Sequence, residues 1–307
     1  MKIVYMGTPD FSVPTLVKLY HDKDIEIAYV VTKCDSKSKR GLALNFSAVK
    51  TKALELGIDI LQPIKIKDDR SVIEKIKAAK PDFIIVVAYG EILSKEILDI
   101  PRKASINGHA SLLPKYRGAA PIQTAILNGD AVTGTTTMLM DEGLDTGDIL
   151  EQYDITIGKK ETSDSLFLKL SNLTADAILH TIKNFDSIKS IKQDDTKSSK
   201  SKIIKKENGN IDFKNESAVD VERKIRAYTS WPSAYFEKDG VKYKIWDADV
   251  VDVAIDSSKK LDFTSDICIF EGAMYAKCSD GYIRINEIQK SGKNKMDIRS
   301  FINGLKS

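Results

Sequence analysis

The chain has 307 residues, 42% of them apolar and 30% charged, with a formal net charge of +3. That length suits two domains better than one, and so balanced a charge carries no global signature of nucleic-acid binding. The positive excess is local: Ser187–Lys206 holds seven Lys against two Asp. Three scattered cysteines, Cys34, Cys268 and Cys278, make neither a disulfide framework nor a zinc site and predict free thiols. No apolar run approaches a membrane span, and the strand-like Lys2–Met6 leaves no room for a signal peptide, so a cytoplasmic protein is expected.

In chain order, Ile3–Met6, Ile25–Val31 and Phe83–Ala88 predict buried strands. Pro14–Tyr20, Ser47–Leu56 and Ser71–Ala79 predict amphipathic helices between them, and Thr162–Asn184 a longer helix that closes the unit. This alternation implies a doubly wound, mostly parallel α/β sheet over residues 1–189. Residues 190–207 form a basic linker, rich in Lys and Ser. Residues 208–307 then predict a smaller, mostly-β domain with an OB-like barrel as its candidate form. Its strands are expected at Asn210–Phe213, Ala234–Glu237, Val241–Trp246, Ala273–Lys277 and Tyr282–Gln289, with one helix at Val219–Tyr228. Trp231 and Trp246 are expected in the core of this domain.

The first strand ends in Gly7-Thr8-Pro9-Asp10. A dinucleotide site would need three glycines there, and Pro9 has no backbone donor while Asp10 repels phosphate. The sheet alone therefore does not make the protein a dehydrogenase.

Asn107, His109 and Asp145 are the candidate chemistry. Asn107 and His109 follow the strand-like Ala104–Ile106, and their i, i+2 spacing on an extended backbone turns both to one side. Asp145 sits in the glycine-rich Asp141–Asp148 loop. An amide and an imidazolium can donate to the oxygen of a tetrahedral intermediate, and a carboxylate can orient the imidazole and relay protons. Each residue also has an ordinary structural use, as His21 and His180 are expected to have, so the chemistry alone leaves the trio open.

The string Asn107-Gly-His-Ala-Ser-Leu-Leu-Pro-Lys-Tyr-Arg-Gly-Ala-Ala-Pro-Ile-Gln123, followed by Met140–Asp148, resembles the signature of the 10-formyltetrahydrofolate-dependent formyltransferases. Met6–Phe11 is likewise of the family's type, while Gly143–Asp148, Ile225–Phe236 and Gly281–Gln289 are similar to its tRNA-formylating branch. The resemblance implies a Rossmann-like formyltransferase domain with Asn107, His109 and Asp145 catalytic. It implies folate contacts at Ser111, Leu112, Leu113 and Pro114, and a pterin pocket lined by Val87, Tyr89, Gly90 and Ile92. It further implies 10-formyltetrahydrofolate as formyl donor, no metal, and initiator methionyl-tRNA as partner of a monomer. Thr32–Lys50 resembles that branch's acceptor-stem insertion, so Lys37, Lys39 and Arg40, with the linker's Lys205 and Lys206, are the implied tRNA contacts; Leu42 and Ala43 interrupt the basic run that relatives often continue. An amino-sugar nucleotide acceptor and a non-catalytic RNA-binding protein are the competing readings.

Overall fold

The computed structural model describes residues 1–37, 44–251 and 266–305, and these divide into two compact units. The first comprises residues 1–121, 132–156 and 167–201, and the second comprises 122–131, 157–166 and the residues from 202 onward.

Among the described residues, eleven strands precede the second unit's sheet: β1 (Lys2–Gly7), β2 (Glu26–Val31), β3 (Ser36–Lys37), β4 (Leu44–Asn45), β5 (Ile60–Leu61), β6 (Phe83–Val87), β7 (Ala104–His109), β8 (Arg117–Gly118), β9 (Val132–Leu139), β10 (Ile149–Thr156) and β11 (Lys200–Ser201). Seven of them form one sheet in the order β10-β9-β7-β6-β1-β2-β5. The five strands from β7 to β5 are parallel, and β9 and β10 add an antiparallel edge. The chain reverses its winding between β1 and β6, which creates the crevice at the strands' carboxyl ends where such sheets bind ligands.

The helices are α1 (Val13–Tyr20), α2 (Ala48–Glu55), α3 (Arg70–Ala79), α4 (Lys95–Leu98), α5 (Pro121–Asn128) and α6 (Ser163–Asn184). Local chemistry sets their ends. Ser47 accepts the Lys50 N–H at 3.0 Å to start α2, Asp69 accepts the Val72 N–H at 3.1 Å to start α3, and Lys80 ends α3 at φ 49°. Alternation along β1 divides the core: Val4 and Met6 pack with Ile73 and Ile76 of α3, while Tyr5 turns to the opposite face and hydrogen-bonds the Ser12 carbonyl. Each such apolar side chain contributes about 1.5–3 kcal/mol on burial. Gly7 packs closely, since a Cβ there would come within 2.7 Å of Ser12 Cβ, so this glycine serves packing rather than phosphate binding.

In the second unit, α7 (Ala218–Ala227) precedes β12 (Tyr235–Lys238), β13 (Val241–Val251), β14 (Ile267–Phe270), β15 (Ala273–Lys277), β16 (Tyr282–Lys290), β17 (Met296–Asp297) and α8 (Ile298–Leu305). The strands form an antiparallel sheet in the order β12-β13-β16-β15-β14, with β17 also on β16. Register shifts around Asp247 curl β13, giving a half-barrel. Its core joins Val221 and Ile225 of α7, Ile245, Ile283 and Ile285 of the sheet, and Phe301 of α8. Asp239 and Gly240, at φ 51° and 72°, form the tight β12–β13 turn.

Several sequence expectations need correction. Asn210–Phe213 is not a strand: only an isolated bridge, Asn210 to Tyr235, forms there, and Ile211 and Phe213 are core residues. Trp231 is 55% exposed rather than buried. Trp246 is only half-buried, with the Lys244 and Lys295 ammonium groups 5.7 and 5.3 Å from its ring centroid. Strands β9 and β10 escaped the pattern because Thr133–Thr137 reads as polar. The threonines are buried, and their hydroxyls are satisfied by neighbours, Thr135 by Thr174 and Thr137 by Thr181, both at 2.9 Å. The stretch 190–201 is exposed over most of its length, yet it is anchored: Gln193 and Ser201 are buried, and β11 pairs with β8. Among the described residues, no helix is long and apolar enough to cross a membrane, and no three His, Cys, Asp or Glu side chains are grouped to hold a metal. None of the three cysteines is in a disulfide bond.

Candidate active site

Strand β7 lies between β6 and β9, and both Asn107 and His109 are buried near its carboxyl end. Gly108 separates them on the opposite face, pressed against α6: a Cβ there would come within 2.6 Å of Thr174 Cγ2 and 3.3 Å of Ile178. Alternation therefore turns Asn107 and His109 together away from α6. Asn107 pairs with Val86 of β6, which sets its depth in the sheet.

The loop between β9 and β10 brings the third group. Leu139 N–H donates to the Asp148 carbonyl at 2.9 Å, closing the loop's base. Inside it, Asp141 accepts from the Gly143 N–H at 3.0 Å and from the Thr146 hydroxyl at 2.8 Å. Gly147 is required because a Cβ there would overlap the Leu139 carbonyl. Asp145 adopts a left-handed backbone, φ 56°, a conformation that costs an L side chain roughly 1–2 kcal/mol.

The three side chains converge. Asn107 Nδ2 donates to Asp145 Oδ1 at 3.3 Å, and His109 Nδ1 stands 3.5 Å from the same oxygen. The other carboxylate oxygen accepts the Gly118 N–H at 2.9 Å. His109 Nε2 faces the Tyr116 carbonyl at 3.0 Å. Both ring nitrogens thus face acceptors. The cluster presents an amide donor and an imidazole beside one carboxylate, which suits stabilisation of an oxyanion and transfer of a proton.

Sequence reasoning missed two residues that support this cluster. Gln193 Nε2 donates to the backbone carbonyls of Asp145 and Gly147 at 2.9 and 2.7 Å, and its Oε1 accepts from Arg117 Nε and Nη2 at 3.0 and 2.8 Å. Arg117 lies inside the quoted motif, but nothing there signals its target. Gln193 sits in a Lys- and Ser-rich stretch where one buried amide has no pattern.

The expected folate residues fall into two groups. Ser111, Leu112, Leu113 and Pro114 follow β7 directly. Ser111 is fully buried, its hydroxyl donating to the Lys115 carbonyl at 2.6 Å, and Leu113 N–H donates to Thr136 Oγ1 at 3.1 Å. Val87 ends β6, and Tyr89, Gly90 and Ile92 follow it at the winding reversal, where Tyr89 O accepts from Thr8 Oγ1 at 2.9 Å. Tyr89 is buried with a hydroxyl that has no hydrogen-bond partner, Gly90 is at φ 85°, and Ile92 is 72% exposed. Of the expected tRNA contacts, Lys37 lies in β3, which pairs with β4, while Lys39 and Arg40 fall outside the described residues. Lys205 and Lys206 are exposed in the second unit.

Residues 1–182 match the family described as "Formyl transferase", and residues 203–306 match "Formyl transferase, C-terminal domain". The chain is 42% identical to a methionyl-tRNA formyltransferase of Lachnospira eligens, covering 99% of this chain and 96% of the relative. It is 43% identical to that of Clostridium tetani, over 100% and 97%. Among solved structures it is similar in fold to WlaRD, a sugar 3N-formyl transferase, with TM-score 0.66 and 21% identity over 96% of this chain and 99% of that one. It is likewise similar to a methionyl-tRNA formyltransferase from Clostridium thermocellum, with TM-score 0.57 and 18% identity over 82% and 94%. With both family regions matched in order and such identity along the whole chain, this protein belongs to the formyltransferase family, in its methionyl-tRNA formyltransferase branch.

Proposed function

We propose that this chain transfers the formyl group of 10-formyltetrahydrofolate to the α-amine of methionine on initiator tRNA. The observation that carries the reading is the convergence of Asn107, His109 and Asp145 at the carboxyl end of β7, within a chain so similar to enzymes of that name. The folate supplies an electrophilic formyl carbon on N10; the amine attacks it, and N10 departs with the proton that the amine gives up. Asn107 Nδ2, with its second hydrogen, donates a hydrogen bond to the formyl oxygen as it gains negative charge, a contribution of about 10²–10³ in rate, and the protonated His109 ring beside it stabilises that charge electrostatically. Asp145 keeps the ring oriented and lies within reach of the migrating proton.

The residues after β6 and β7 fit a pterin. A planar heteroaromatic ring wants apolar walls and a few polar groups, and here stand the exposed Ile92, the left-handed Gly90 and the unpartnered Tyr89 hydroxyl. Lys37, Lys39, Arg40, Lys205 and Lys206 are assigned to the tRNA backbone, where phosphate contacts fix orientation. We place the enzyme in the cytoplasm as a monomer.

The test is transfer of labelled formyl from 10-formyltetrahydrofolate to charged initiator tRNA, run beside an amino-sugar nucleotide. Label on the methionyl-tRNA supports the assignment. Label on the sugar alone overturns it, and so does tRNA binding without any folate-dependent product.

A further inference from the structure

Gln193 lies outside the trio, in a stretch whose immediate neighbours are exposed, yet it is 6% exposed itself. Register explains how it reaches the site. Ile191 pairs antiparallel with Ile149 through two N–H···O bonds of 2.8 Å, so position 193 falls opposite position 147. From there Nε2 spends both hydrogens on the carbonyls of Asp145 and Gly147, and Oε1 takes two bonds from Arg117. The amide's hydrogen-bonding capacity is thus filled. Arg117 is held in turn, Nη2 reaching Asp195 Oδ1 at 2.8 Å and its backbone N–H donating to the Ser199 carbonyl at 2.9 Å.

This clamp grips the strained part of the loop. Asp145 is left-handed without being glycine, and the direction of its side chain depends on that backbone. If the peptide relaxed to an ordinary conformation, the carboxylate would swing away from His109 and Asn107. The geometry points to Gln193, oriented by Arg117, as a positioning residue for the Asp145 carboxylate in formyl transfer; this inference rests on the catalytic role assigned to Asp145 above. Residue chemistry is restrictive at this position. Glu cannot donate to two carbonyls, Lys cannot accept from Arg117, and Met can do neither.

The experiment measures kcat, both KM values and Tm for full-length Gln193→Met, alone and in an Asp145→Ala background, with Arg117→Lys alongside. Gln193→Met is expected to lower kcat by about 10–100-fold, the scale of an ångström-sized misplacement. Both KM values should stay within about threefold, and in the Asp145→Ala background the further loss should be under about twofold, since the two residues act as one unit. Arg117→Lys keeps a charge but loses the fork, and should lower kcat in the same direction by less. Gln193→Met turnover within about threefold of wild type would overturn the inference, as would an equal loss in both backgrounds, which is the mark of a purely structural residue. Should Gln193→Met fail to fold, Gln193→Glu decides by the same criteria, because it retains acceptors for Arg117 while setting a carboxylate oxygen where the two donated hydrogens were. Near-normal turnover of Asp145→Ala alone would instead remove the catalytic reading beneath the inference, a failure visible without any change at Gln193.

Discussion

Gly118 donates its backbone N–H to Asp145 Oδ2 at 2.9 Å, which leaves only Oδ1 to serve His109 and Asn107. A backbone donor cannot rotate away, so the carboxylate's orientation is set by the main chain on one side and read by two side chains on the other. Asp145→Asn tests this division. The Asn oxygen is claimed by Gly118, and the amide nitrogen then faces Asn107 Nδ2, donor against donor. Turnover should fall by at least about 10²-fold while the fold survives, as steady-state kinetics and circular dichroism would record.

Gly118 is itself constrained. It adopts φ 118°, and a Cβ there would overlap the Ser201 carbonyl. Gly118→Ala should break the β8–β11 pairing and lose most turnover, with a fall in Tm smaller than core disruption gives. Unchanged kcat in that variant would show that β11 is dispensable to the site.

Gly108→Ala should act from behind. The new methyl would meet Thr174 Cγ2 at 2.6 Å, and β7 or α6 must shift to admit it. Overpacking of this kind costs about 1–3 kcal/mol, to be read from denaturant unfolding. Thr174→Ser removes the offending methyl but keeps the hydroxyl that pairs with Thr135, and should recover part of the loss.

The thiols should differ sharply. Cys278 is buried, and burial pushes its pKa up to about 12, with Asp280 and Glu216 adding to the effect. Cys34 is exposed. At pH 8, iodoacetamide followed by mass spectrometry should find Cys34 modified and Cys278 protected until the second unit unfolds.

Acid should weaken the second unit through Asp249. Hydrogen bonds from Lys160 at 2.6 Å, Asn286 at 2.9 Å and Arg284 at 3.0 Å hold its carboxyl below the ordinary value of 3.8, with Asp247 nearby on the same Asn286. A depressed folded-state pKa means that the stabilisation is complete above the ordinary value and is lost as pH falls beneath it. Thermal melts between neutral pH and pH 3 should therefore show a shallower acid decline for Asp249→Asn than for wild type.

Much of this architecture was legible from the chain. Among the parallel strands, β1, β2 and β6 were clear because they are apolar runs, as Phe83–Val87 shows, whereas the two-residue β5 left no such signal. Asn107 and His109 were readable as a pair because strand alternation fixes their shared side whatever the tertiary detail. The antiparallel edge was not, since a buried threonine looks the same in sequence as an exposed one until its partner on α6 is known. Asp145 could be named but not oriented: its left-handed φ and its bond to Gly118 depend on packing across residues far apart in the chain. Trp231 misled for a related reason, because hydrophobicity predicts burial on average and not for one ring beside a turn.

The pairing of β11 with β8 bears on how such a protein can be recombined. A stretch that looks like spare tether packs with the first unit as far as Ser201, so a transplant of the residues from 202 onward cannot be joined at the end of α6. A splice at residue 190 would discard Gln193 and Ser201 together, whereas one placed after Ser201 carries them over. Shuffled chimeras would reveal Ser201 as the boundary between inert and active hybrids.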